Sequence, residues 1–127
     1  MEDEDLIKFQ WKNDILICNI ITEKTIDEKT AIRLVSLRKV ETKNKPIKIV
    51  MIFPKLTHMD KGGRDYLSSD EAKKGILASA MVVKTVIGKV VINFFLKLNN
   101  RNDNAIPNKV FNTEDEALEW LENLPLN

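Results

Sequence analysis

Cysteine is almost missing from this chain. Cys18 is the only one among 127 residues, so no disulfide can form within the chain, and the thiol content fits a reducing compartment. Histidine is equally scarce: His58 stands alone, and one histidine with one cysteine cannot complete a structural zinc site. Aromatic residues make up 6% and are not interleaved with basic ones, which removes the stacking platform that single-stranded nucleic acid needs. Nor does one charge predominate, since 20 Lys+Arg face 19 Asp+Glu, and a net +1 gives no field to gather a polyanion. No apolar run approaches the ~20 residues that cross a bilayer, and the opening Glu2-Asp3-Glu4-Asp5 is the opposite of a basic signal-peptide head. These absences speak against nucleic-acid binding and against a transmembrane segment. They predict a cytoplasmic protein whose residues 1–5 form a disordered acidic tail, with no metal site and no cofactor.

Glycine and proline are also few, four of each, while apolar residues reach 43% and charged ones 31%. That balance belongs to a packed globule rather than to a low-complexity polymer. A chain of this length buries roughly two-thirds of its unfolded surface around one core, and no repeat or linker divides it, so residues 1–127 are read as a single domain.

Ile7, Phe9 and Trp11 alternate with Lys8 and Gln10, and an almost unbroken apolar run follows at residues 15–21. The pair reads as a hairpin in which a half-covered strand precedes a more deeply buried one. Thr25 and Glu28 have capping-box spacing, and Ala31, Leu34 and Val35 then recur at helical intervals, with Arg33, Arg38 and Lys39 left for solvent. This helix should stop near Lys43-Asn44-Lys45-Pro46, ahead of a strand over residues 47–53 that Pro54 ends. Asp60 can cap a helix carrying Tyr66 and Leu67 inward, Ser68 with Glu71 suggests a break or re-capped turn, and Gly75 closes the helix. Residues 76–83 read as a central strand, residues 86–98 as a helix capped by Thr85, residues 99–107 as a loop and residues 109–111 as a short strand. Thr113 and Glu116 form another capping box before Ala117, Trp120, Leu121 and Leu124, the inner face of a closing helix. The predicted class is α/β: a mixed sheet of about five strands covered by about four helices.

Three stretches carry a family resemblance: Arg64-Asp65-Tyr66-Leu67-Ser68-Ser69-Asp70-Glu71-Ala72; Gly88-Lys89-Val90-Val91-Ile92-Asn93-Phe94-Phe95-Leu96-Lys97; and Val110-Phe111 with Glu116-Ala117-Leu118-Glu119-Trp120-Leu121. With the order of elements, they resemble the STAS domain of bacterial anti-sigma factor antagonists, and more closely the small bacterial proteins called SpoIIAA-like. The resemblance spans nearly the whole chain and implies a regulatory or binding module, often a homodimer, rather than a catalyst. Phosphoregulated STAS members carry Asp-Ser-Ser-Gly or Asp-Ser-Thr-Gly at the helix after the central strand. Here the comparable place holds Asp60-Lys61-Gly62-Gly63, without the phosphoacceptor, and Ser68 and Ser69 read as cap residues.

The same segment is the strongest candidate site. His58, Asp60, Lys61, Gly62, Gly63, Arg64, Asp65 and Tyr66 gather donors, charges and two glycines where strand hands over to helix, an arrangement that can hold a small anionic ligand or a protein partner. Gly62-Gly63 lacks the length of a P-loop, and no dinucleotide fingerprint is present. Catalysis would have to start from His58, but no nucleophile is placed to serve it, since Cys18 falls inside a strand. The expected function is therefore a non-enzymatic module that binds a protein partner or small ligand through Asp60, Lys61, Gly62, Gly63 and Arg64. The alternative is a carrier of a lipid or other hydrophobic ligand, built on the Phe94-Phe95 stripe, whose simpler role is to fill the core.

Overall fold

Lys12 and Ile15 face each other across a two-residue turn at Asn13-Asp14, where Asn13 takes a positive φ of 56°, a conformation asparagine tolerates better than most residues. The turn folds β1 (Ile7–Lys12) back on β2 (Ile15–Ile20) as the expected antiparallel hairpin. The computed structural model describes residues 6–22, 24–53, 58–83, 88 and 106–125. Within them, α1 (Glu28–Thr42), β3 (Ile47–Ile52), α2 (Lys61–Leu67), α3 (Asp70–Lys73), β4 (Ile76–Val82), β5 (Asn108–Phe111) and α4 (Glu114–Asn123) follow in that order. The strands lie side by side in sequence order, and every pair after the hairpin is parallel. The protein is thus α/β, with a mixed five-stranded sheet and four helices among the described residues.

The apolar run in β2 is explained by burial on both faces. Leu16, Cys18 and Ile20 point to the side that holds Ala31 and Leu34 of α1, while Ile15 and Ile17 point to the side that holds Ala117, Leu118 and Leu121 of α4. Strand β4 divides likewise, sending Ala78, Ala80 and Val82 toward α4. Their small side chains suit the closing helix, whose Trp120 stacks at a tilt on Phe111 with ring centroids 5.6 Å apart.

Helix boundaries differ from expectation by local chemistry. Asp27, not Thr25, caps α1, its Oδ1 accepting the Thr30 N–H at 2.8 Å. A carboxylate two residues closer to the apolar stripe supplies the stronger acceptor at the positive helix end. Ser69, not Ser68, caps α3, because Ser68 Oγ turns back to the Asp65 carbonyl. Of the break or re-capped turn that Ser68 and Glu71 suggest, the structure has the break, between two helices. Thr113 caps α4 as expected, and Lys43 and Asn44 end α1 in left-handed conformations. The acidic tail at residues 1–5, Pro54, most of the helix expected at residues 86–98 and the loop before Ile106 lie outside the described residues.

Gly63 has a specific reason to be glycine. Helix α2 enters beside the start of α1, and a Cβ built on Gly63 would stand 2.2 Å from the Ile26 carbonyl oxygen. At Gly62 the nearest atom would be the Glu28 Cβ, at 3.3 Å. Gly63→Ala is expected to cost about 2–3 kcal/mol, the range for forcing an extra methyl into packed backbone, whereas Gly62→Ala should stay within about 1 kcal/mol because helix propensity offsets slight crowding. Urea unfolding of the two variants checks the contrast.

Candidate functional site

The five predicted site residues lie together at the entrance to α2. Asp60 is extended (φ −86°, ψ −179°), and its Oδ1 accepts the Gly63 N–H at 2.9 Å. Just before it, Ile26 and Met59 form a parallel bridge, with the Ile26 N–H donating to the His58 carbonyl at 2.7 Å and the Asp60 N–H to the Ile26 carbonyl at 3.2 Å. Arg64 reaches back, its Nη1 donating to the Met59 carbonyl at 3.0 Å. Lys61 Nζ meets Asp65 Oδ2 at 2.6 Å one turn along, both side chains being exposed. The segment is thus a tight junction between two helix starts whose cations are engaged on its own carbonyl and carboxylate. His58 is exposed, while Cys18 is fully buried in the core.

A second place was not flagged by the sequence. On the α1 side of the sheet lies a cavity of about 90 Å³. Ile7, Cys18, Ile49 and Met81 from the strands, Leu34 and Val35 from α1, and Met59, Leu67 and Ala72 form its apolar walls. Arg38 and Lys73 also line it, and among the described residues no carboxylate does.

Arg38, expected in solvent, is only 6% exposed. Its Nη1 donates to the Ala72 carbonyl at 2.9 Å and its Nη2 to the Lys74 carbonyl at 2.8 Å, so the guanidinium holds the carbonyl end of α3. Burial lowers the Arg38 pKa from its ordinary value, partly offset by Cys18 and Tyr66. A signal for this was present: Arg38 lies three and four residues beyond Val35 and Leu34, on the stripe that begins at Ala31. Lys73, between the two carbonyls that Arg38 holds, is 7% exposed. Its Nζ is buried with no hydrogen-bond partner among the described residues.

A family model described as a domain of unknown function, DUF7793, matches residues 9–125. The chain belongs to the DUF7793 family. Comparison with curated proteins and with solved structures gave no match. The DUF7793 region takes in both the junction at residues 60–64 and the cavity walls except Ile7. Among the described residues of this DUF7793 chain, no helix is long and apolar enough to cross a membrane, and no group of three or more His, Cys, Asp and Glu could hold a metal ion.

Cys18 lines the cavity but is chemically quiet. Burial pushes its thiol from 9.0 up to about 12, outweighing the opposing pull of Arg38. The folded state therefore keeps this proton over a window in which the unfolded chain loses it. Its stabilising effect is whole below pH 9.0 and is lost as pH rises toward about 12. The expected slope is at most about 1.4 kcal/mol per pH unit, and Cys18→Ala should flatten it. Denaturant titrations from about pH 8 to about pH 11 measure this, and a native thiol reacting with a disulfide reagent as fast as the unfolded chain would contradict it. At the junction, Lys61→Ala should leave stability within about 0.5 kcal/mol, since exposed pairs contribute little. Arg64→Ala should cost about 1–2 kcal/mol, because the Met59 carbonyl loses a charged donor. Thermal unfolding of each variant distinguishes the two.

Proposed function

We propose that this DUF7793 chain is a non-enzymatic binding module that seats a small, mainly apolar group in the cavity beneath α1 and α3. The observation that carries the reading is the cavity itself, roofed by helices and floored by the sheet, with Met51, Met59 and Met81 in its wall. Methionine is unbranched and polarisable, and it adapts to irregular guests better than Ile or Leu. Size limits what this cavity can hold. About 90 Å³ is about three times a water's share of liquid, ~30 Å³, and falls well short of the ~300 Å³ at which drug-sized sites begin. A guest of this cavity is therefore a group of a few heavy atoms, while the carrier alternative built on Phe94-Phe95 falls outside the described residues.

Cys18, raised to about 12 and buried, is a poor nucleophile at neutral pH, which supports binding rather than covalent catalysis. The antiparallel pair followed by parallel strands supports the STAS-like reading of the chain as a cytoplasmic, self-associating module. Exposed Trp11, whose Nε1 donates to Glu41, and exposed Val40 of α1 supply apolar area for a homodimer. The junction at Asp60, Lys61, Gly62, Gly63 and Arg64 remains the surface for a protein partner, with Lys61 the cation a partner carboxylate would draw away from Asp65.

Native mass spectrometry of the protein as purified is expected to show extra mass that disappears on denaturation and is absent from Ala72→Leu, a variant that fills the cavity. Methionine-methyl NMR supplies the independent check, since Met51, Met59 and Met81 should shift together when butan-1-ol is added. A sample with no extra mass, whose methyl signals ignore the alcohol, would overturn the cavity reading. A ligand-free dimer would move attention to the partner surface.

A further inference from the structure

We infer that the cavity is a site for a small organic monoanion with a short unbranched apolar tail, the acid group held by Lys73 and the tail lying against Met51, Met59 and Met81. The inference rests on the cavity reading and adds the charge of the ligand to it.

Three observations converge. Lys73 lines the cavity, is more than nine-tenths buried, and its Nζ has no hydrogen-bond partner among the described residues. A buried cation without a partner is costly, and an anion brought to it relieves that cost, so the same contact is stronger here than on a lysine already paired or hydrated. Second, Arg38, the other cation in the wall, already donates from both terminal nitrogens to the Ala72 and Lys74 carbonyls. Its charge adds to the potential in the cavity, while its fork is committed to holding α3 in place. Of the two cations, Lys73 is left to meet a ligand. Third, no Asp or Glu among the described residues lines the cavity, so no acid among them competes for either cation.

The dimensions set the tail. An acid group beside Lys73 leaves space for a tail of about two or three carbons in about 90 Å³, given ~30 Å³ for a water. Affinity should climb about fourfold with each methylene while space remains, then stop climbing or fall.

The test titrates butanoate and butan-1-ol into methionine-methyl-labelled wild type, Lys73→Met and Lys73→Arg, following the Met51, Met59 and Met81 signals. Wild type is expected to bind butanoate more tightly than the alcohol. Lys73→Met should weaken butanoate by about tenfold to a hundredfold, as loss of a charged hydrogen bond does, and leave the alcohol unchanged or tighter. Lys73→Arg should retain part of the preference for the acid. Thermal melts confirm that Lys73→Met is folded, and replacing a buried, unpartnered charge by an apolar chain of similar length should raise its melting temperature. Equal binding of acid and alcohol by wild type, or butanoate binding that survives Lys73→Met undiminished, would overturn the anion assignment and leave the cavity reading standing. Failure of both probes to shift the methyls of wild type would remove the two together.

Discussion

Burial of β2 on both of its faces is the constraint on which the rest of this structure depends. A strand that sends Leu16, Cys18 and Ile20 one way and Ile15 and Ile17 the other needs an apolar layer on each side. On one side α4 provides it with Ala117, Leu118 and Leu121, packed on the small residues of β4. On the other, α1 supplies a long stripe, and the rest of that face is covered by two short helices and the segment around Met59. Short elements cannot tile a twisted sheet as evenly as one long helix. The cavity lies on this second side, beneath the middle of α1 and beside α3.

Arg38 shows how such a patchwork is kept closed. A four-residue helix has too few internal hydrogen bonds to persist alone. Here its last carbonyls are gripped by a guanidinium rooted in the middle of α1, and Lys39 adds an ion pair to Glu71. Those contacts place Ala72 and Lys73 in the cavity wall. The charges that line the cavity and the charges that hold its roof therefore come from one cluster.

Much of this was legible in the residues. The alternation of Ile7, Phe9 and Trp11, the unbroken run of β2, the stripe of α1 and the Thr113 cap all act over a few positions, and local chemistry decides them. The candidate segment at residues 60–64 was legible as a cluster, but the reason for Gly63 was not. It depends on the Ile26 carbonyl, 37 positions away, which only the Ile26–Met59 bridge brings near. Arg38 was misassigned because its type outweighed its phase: a long cation usually reaches water, and position on the stripe gave the better guide. Lys73, within Ala72-Lys73-Lys74-Gly75, had no periodic signal, since its burial comes from the tertiary placement of a single turn.

The bridge between Ile26 and Met59 also has a kinetic side. It couples the starts of α1 and α2 through two backbone hydrogen bonds, and Gly63 seats directly on it. The roof of the cavity is thereby divided into a clamped end near Ile26 and a lighter end at α3, held by side-chain contacts from Arg38 and Lys39. Local opening follows the weaker attachments in a fold, at free energies well below that of global unfolding. On the proposed reading, a guest exchanging at the α3 end would leave the sheet and the Ile26 clamp intact, so its residence time would follow the grip of Arg38 and Lys39 rather than the stability of the domain.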